Sequence, residues 1–247
     1  MKRMDRIWRI TLSSGKSEWS IDIDGTPISL QVRRYARSRG YRLRYDSRSG
    51  ALRLSIPMRG SEKNAVLWAQ EQAAWVRGQI AKTEQPRILM PGMTVLFEGV
   101  NHEIMWDQSF PRAPHISDGK LYVGGPEASV GSRILRWLRQ RALSILTDET
   151  HEFAAKEGLK VVSVRIGDPR SRWGSCSCNG EIRYSWRLIL APPDVRRATV
   201  AHEVAHLLHM DHSPAFHAAH ARLLEEDPAP ARAWLRRHAA SLHAVTV

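Results

Sequence analysis

Disulfides, membrane spans and leader-like apolar runs are what this sequence lacks. Only two cysteines occur in 247 residues, Cys176 and Cys178, and their i, i+2 spacing in one presumed hairpin would strain a bond between them. A disulfide-stapled framework is therefore excluded, and two reduced thiols packed as small buried side chains are expected. No stretch approaches the length of a membrane span, and the charged segment 1–19 has no apolar core of the signal-peptide kind. These features predict a cytoplasmic protein with no membrane partner. Internal repeats and a lysine-rich tail are missing too, and nothing suggests disorder on a large scale.

What is present is enough apolar material, 43% of residues, to build one large domain or two small ones around a real core. The formal net charge is +12, carried mostly by arginine, which favours polyanions through counterion release. Interspersed Asp and Glu weigh towards the simpler reading, an ordinary solvated surface. The densest basic cluster is Arg33, Arg34, Arg37, Arg39, Arg42, Arg44 and Arg48, interleaved with Tyr35 and Tyr41. It is the expected place for any nucleic-acid contact, although the wet face of a β-sheet, which alternation alone explains, is the favoured reading.

Residues 21–32 alternate apolar and polar side chains on both sides of Asp24-Gly25, the pattern of a β-hairpin. Residues 41–45 and 52–56 repeat the period of two. Ser61 can cap a helix running to about Lys82, and 94–97, 102–106 and 120–123 form a second β-rich stretch. Gly124-Gly125-Pro126 marks a boundary. A long helix is expected from about 129 to 157, then strands at 161–166 and 181–189, the second free to pair along an edge with an extended peptide. Pro192 and Pro193 then open a helix. The expected fold class is α+β: a small antiparallel β-rich N-terminal region with one helix, residues 1–125, followed by a helical region with a short sheet, residues 126–247.

The helix after Pro193 carries His202-Glu203-Val204-Ala205-His206. On a helix, residues four apart share a face, so His202 and His206 can close on one metal ion while Glu203 stands beside them without ligating. That division suits zinc hydrolysis, with two neutral imidazoles on Zn²⁺ and a glutamate that moves the proton. A third ligand is needed. His209 would stand about 10 Å from His202 along the axis, too far for Zn–N bonds of about 2 Å. His212 reaches the ion only if the helix stops near Met210, which Asp211 and Pro214 favour. Because it needs only a local turn, His212 ranks first and His217 second, with His220, Glu225 and Glu226 still open. His102 and His115 stand alone and are not expected to ligate.

The blocks Arg172-Trp173-Gly174-Ser175-Cys176-Ser177, Gly180-Glu181-Ile182, the run 186–193, His202-Glu203-Val204-Ala205-His206 and His212-Ser213-Pro214 closely resemble the YgjP-like metallopeptidase family, itself similar to WLM and SprT-type zincins. The resemblance covers roughly residues 20–240. It implies a zincin-like catalytic region with His202, His206 and His212 as zinc ligands, Glu203 as the catalytic acid–base and a polypeptide substrate. Asp211 stands where the family tends to have Asn, and His217 where it has an aromatic residue. The alternative function is a basic nucleic-acid-associated protein, with a structural zinc or with protease action confined to DNA-bound proteins. Trp173 and Trp186 are expected to pack rather than react, with Gly174 and Ser175 in a tight turn.

Overall fold

Asp24 and Gly25 both take left-handed angles, φ 55° and 84°, which is the backbone a two-residue hairpin needs to match the twist of its strands. They join β2 (Ser17–Ile23) to β3 (Thr26–Tyr35) in the first of two units, Met1–Glu84 and Gln85–Val247. A computed structural model describes residues 8–11, 17–46, 49–81 and 86–247, and it is α+β throughout.

In the first unit, β1 (Trp8–Thr11), β2, β3, β4 (Arg42–Asp46) and β5 (Ala51–Pro57) form a sheet in the order β1-β2-β3-β5-β4. Its neighbours are antiparallel except β3 and β5, which run parallel, a distinction that alternation in the sequence does not carry. Ile21, Leu30, Leu52, Leu54 and Ile56 are buried against Ala65, Val66, Ala69 and Val76 of two helices. The single helix expected there is broken: α1 (Glu62–Glu71) ends at Gln72, with φ −82° and ψ 14°, and α2 (Ala73–Ala81) restarts. Neither glycine nor proline is at the break, and nothing local explains it. Ser61 caps α1 as expected, accepting from the Asn64 N–H at 3.3 Å. Lys82 lies outside the described residues.

The second β-rich stretch belongs with the second unit, Gln85–Val247, not with the N-terminal region that a boundary at 125/126 would give it. After β6 (Arg87–Ile88), the strands β7 (Thr94–Phe97), β8 (Val100–Trp106), β9 (His115–Ser117) and β10 (Lys120–Val123) form a sheet in the order β7-β8-β10-β9. Val95, Ile104, Leu121 and Val123 share one core with Ile134, Leu138 and Leu146 of the long helix α3 (Val130–Lys156). Gly124-Gly125-Pro126 is thus a bend inside this unit, and the glycine-rich punctuation marks a local turn instead of a domain edge.

Next come β11 (Ser163–Gly167), β12 (Gly174–Cys176) and β13 (Glu181–Ser185), a 3-10 turn over Trp186–Leu190, α4 (Pro193–Ala205), α5 (Pro214–Leu224), α6 (Ala229–Ala244) and β14 (Val245–Thr246), which pairs with β6. The three-stranded sheet has the order β11-β13-β12. The strand expected to offer a free edge, β13, is therefore central, with both sides already paired, and it ends at Ser185 instead of running to 189. β12, the arm of the presumed hairpin that carries Cys176, supplies an edge.

Two buried arginines tie α4 and its approach to the rest of the unit. Arg196 is held bidentately by Glu149 of α3, at 2.8–3.1 Å, and by Glu98 at 2.9 Å. Arg187 is 3% exposed and binds Asp168 together with the carbonyls of Leu242 and Val245. A buried guanidinium stripped of water needs every donor satisfied, so these contacts fix where α4 starts and where α6 ends. The Glu98-Gly99 turn docks on the 186–190 segment through N–H bonds to the Ile189 and Leu190 carbonyls. A Cβ on Gly99 would come within 2.8 Å of Pro192, so glycine is required there twice over, for contact and for its positive φ.

Among the described residues no helix is long and apolar enough to cross a membrane.

Candidate metal centre

Helix α4 stops sooner than the spacing argument required. Ala205 is its last residue, and His206 is the cap at φ −66°, ψ −18°. The Leu207 and Leu208 N–H groups bond back to Val204 and Ala205 in a tightened last turn, and His209 N–H reaches the Ala205 carbonyl. Asp211 Oδ1 then accepts from the Ser213 N–H at 3.3 Å, while Ser213 Oγ accepts from the Phe216 N–H at 3.4 Å. These two short-range bonds turn the chain into α5, with Pro214 in its first turn, where a missing N–H costs nothing. The reversal carries His212 back over the face of α4.

Among the described residues, His202, His206 and His212 are the group able to hold a metal ion, with one ring nitrogen each and all three within 4.8 Å of one another. His202 Nε2 and His212 Nε2 stand 3.3 Å apart, and two Zn–N bonds of about 2.0–2.1 Å at the tetrahedral angle separate their nitrogens by about 3.4 Å. His206 Nδ1 lies 3.0 Å from the His209 carbonyl. Donation to that carbonyl places the proton on Nδ1 and leaves Nε2 with its lone pair for a metal. His209 therefore contributes its backbone to the site and not its ring. Burial, followed by the neighbouring His220, His206 and His212, drives His202 down to about 3, and burial lowers His206 as well. Unprotonated imidazoles are the form a cation needs.

None of the other candidate ligands joins the group. His220 is buried and turns Nε2 to the Ala198 carbonyl at 3.2 Å. His217 is exposed, its ring centre 6.4 Å from that of His212. Glu225 caps α5 with a left-handed φ of 63° and pairs with Lys156 at 2.7 Å, and Glu226 is an exposed residue just past it. His102 is engaged with the Gly119 carbonyl at 3.0 Å. No fourth protein ligand closes the cluster among the described residues, whereas a closed structural zinc site takes four.

Glu203 is 5% exposed, and burial pushes its carboxyl up to about 7 against the pull of Arg172. The reason for the glycine in the Trp-Gly-Ser-Cys block is here. A Cβ on Gly174 would lie 2.4 Å from Glu203 Oε1, so the carboxylate rests directly on bare backbone. Gly174 and Ser175 form strand, not a tight turn. The register pairs Ser175 with Arg183, and Trp173 O and Ser177 N bond inward to β13. By the alternation of an antiparallel ladder, Gly174 and Cys176 then turn their N–H and C=O groups to the open edge.

Phe216 was not legible as part of the site. It is fully buried, and its ring centre lies 4.9, 4.5 and 4.8 Å from those of His202, His206 and His212. It is a wedge that holds all three imidazoles, and its position four residues after His212 was the available signal. Trp186 lies in the core beneath Arg187. Trp173 has a different role: it stacks on His243 at 5.3 Å and lines a cavity of about 260 Å³ beside His202 and Glu203. A second cavity, about 310 Å³, opens beside His206, next to Cys178 and Asn179. Both cysteines are free. Cys176 packs partly against the core, but Cys178 is exposed, contrary to the expectation of two buried thiols.

Residues 39–238 match the model described as YgjP-like, metallopeptidase domain, and the chain belongs to the YgjP-like family. Membership makes it a metallopeptidase, a class whose chemistry uses a metal ion. Among solved structures the chain is similar to the metallopeptidase zymogen of Pyrococcus abyssi abylysin, with 19% identity and a TM-score of 0.34 over 41% of this chain and 99% of that one. No curated protein matches it.

Proposed function

We propose that the second unit is a zinc-dependent peptidase that hydrolyses polypeptides, with His202, His206 and His212 as the metal ligands and Glu203 as general base and acid. The observation that carries this reading is the convergence of three imidazole nitrogens within 4.8 Å next to a buried, otherwise unligated carboxyl. Zinc bound there supplies a Lewis acid that makes water nucleophilic near neutral pH and polarises a peptide carbonyl. Glu203, held near 7, is matched to its two duties, taking the proton from the attacking water and giving it to the leaving amine. Gly174, bare of a side chain, leaves the space that the Glu203 carboxylate occupies.

The open edge of β12 supports a polypeptide substrate. An extended peptide can add to that edge through the outward N–H and C=O groups of Gly174 and Cys176, which places its backbone alongside Glu203. The cavities on either side of the histidines are open to its side chains. Glu203→Gln keeps the shape and removes the base. The purified variant should retain about one equivalent of zinc by elemental analysis and lose cleavage of casein, and undiminished cleavage would refute the assignment.

A further inference from the structure

Arg33, Arg42, Arg44 and Arg53 of the first unit are gathered by strand register onto one side of its sheet. The inward residues Leu52, Leu54 and Ile56 of β5 are buried, which turns Arg53 and Ser55 outward. Arg44 sits directly opposite Arg53, and Ser55 lies between Arg42 on one side and Arg33 on the other. The loop after β3 adds Arg37 and Arg39, and together they line a groove of about 680 Å³ that contains no carboxylate.

A solvated face does not need this arrangement. Like charges directly opposite in a ladder destabilise the pair, whereas outside the groove Arg34 pairs with Glu62 at 3.3 Å and Arg77 with Asp24 at 2.8 Å. In the groove only Arg53 is neutralised, by Asp46 at 2.6 Å. Among the described residues, Arg33, Arg37, Arg39, Arg42 and Arg44 have no carboxylate within ion-pair distance. Arg48, part of the same cluster in the sequence, lies outside the described residues. Two aromatic rings share the groove: Tyr35, 48% exposed, and Tyr41, braced against Trp68 with ring centres 5.6 Å apart.

Cations that track a backbone, interleaved with accessible aromatic faces, are what an unpaired strand of nucleic acid requires. In a duplex the base faces are already stacked, so the tyrosines would find no partner. We propose that this groove binds single-stranded nucleic acid, with the arginines on phosphates and Tyr35 and Tyr41 under bases. The site is independent of the peptidase reading and stands or falls separately.

The test is fluorescence anisotropy of a labelled 15-residue single-stranded oligothymidylate with the full-length protein over a salt series. Each phosphate neutralised on a single strand contributes about −0.7 to the slope of log K against log salt. A combined Arg33→Gln, Arg42→Gln and Arg44→Gln variant should flatten that slope by about 2 and weaken binding at least tenfold at low salt. If the triple variant does not fold, the single Arg42→Gln variant should flatten it by about 0.7. Tyr35→Ala should weaken oligonucleotide binding about tenfold and leave inorganic polyphosphate binding unchanged, because only bases stack. The proposal is overturned by absent binding at low salt or by folded arginine variants that match the wild type. It is equally overturned if Tyr35→Ala is neutral for the oligonucleotide, which marks a general polyanion surface, or if duplex binds as tightly.

Discussion

Replacing Gly174 with alanine adds one methyl group at the most sensitive contact of the site. The three atoms nearest the new Cβ all belong to Glu203, Oε1 at 2.4 Å and Cδ and Cγ at 2.6 Å. Ordinary contact begins near 3.4 Å, so the carboxylate and β12 must separate by about 1 Å. Neither can yield freely, since Glu203 is buried on α4 and β12 is bonded to β13. Overpacking of this kind costs about 1–3 kcal/mol, which in a unit of this size lowers Tm by about 2–4 °C per kcal/mol. Catalysis should suffer more than stability, because misplacing a reacting group by about 1 Å costs on the order of 10²-fold in rate. Peptide hydrolysis by Gly174→Ala is therefore expected to drop about 100-fold, while zinc content, which in the proposed site depends on three histidines and not on Gly174, stays at one equivalent. A variant with full zinc and near-native kcat would refute the claim that Gly174 positions the carboxylate.

Phe216→Ala removes the wedge between the histidines. The folded state should lose about 3–5 kcal/mol in urea unfolding, as for a buried aromatic elsewhere, and zinc affinity measured against a competing chelator should weaken about 10–100-fold; unchanged affinity would show that the rings are held without it. The two cysteines should separate chemically. Burial, then the Glu203 carboxylate and Cys178, push the Cys176 thiol up to about 11, whereas Cys178 is exposed. Iodoacetamide at pH 8 should modify Cys178 and spare Cys176, with Cys176 labelling rising only as the pH approaches 11. Equal rates at pH 8, read by peptide mass mapping, would contradict that assignment.

Local chemistry set most of what could be read directly. Asp24-Gly25, Ser61, Pro193 and Ser213-Pro214 acted where they stand, because caps and tight turns depend on residues within a few positions of one another. The α+β class and the long helix α3 were legible for the same reason. The spacing of His202 and His206 on one helical face followed from helix geometry, and the need for an early helix end to bring in His212 followed from the same geometry. Only tertiary structure decided the rest. The unit boundary fell at Glu84/Gln85 because Val95, Ile104 and Leu121 bury against α3, and a period-two pattern does not say which core its apolar face joins. Parallel pairing of β3 with β5, and the central place of β13, depend on which strands meet across long stretches of chain. So do the Phe216 wedge and the contact of Gly174 with Glu203. A glycine that reads in sequence as freedom to turn is, in the fold, the absence of a side chain where the Glu203 carboxylate lies.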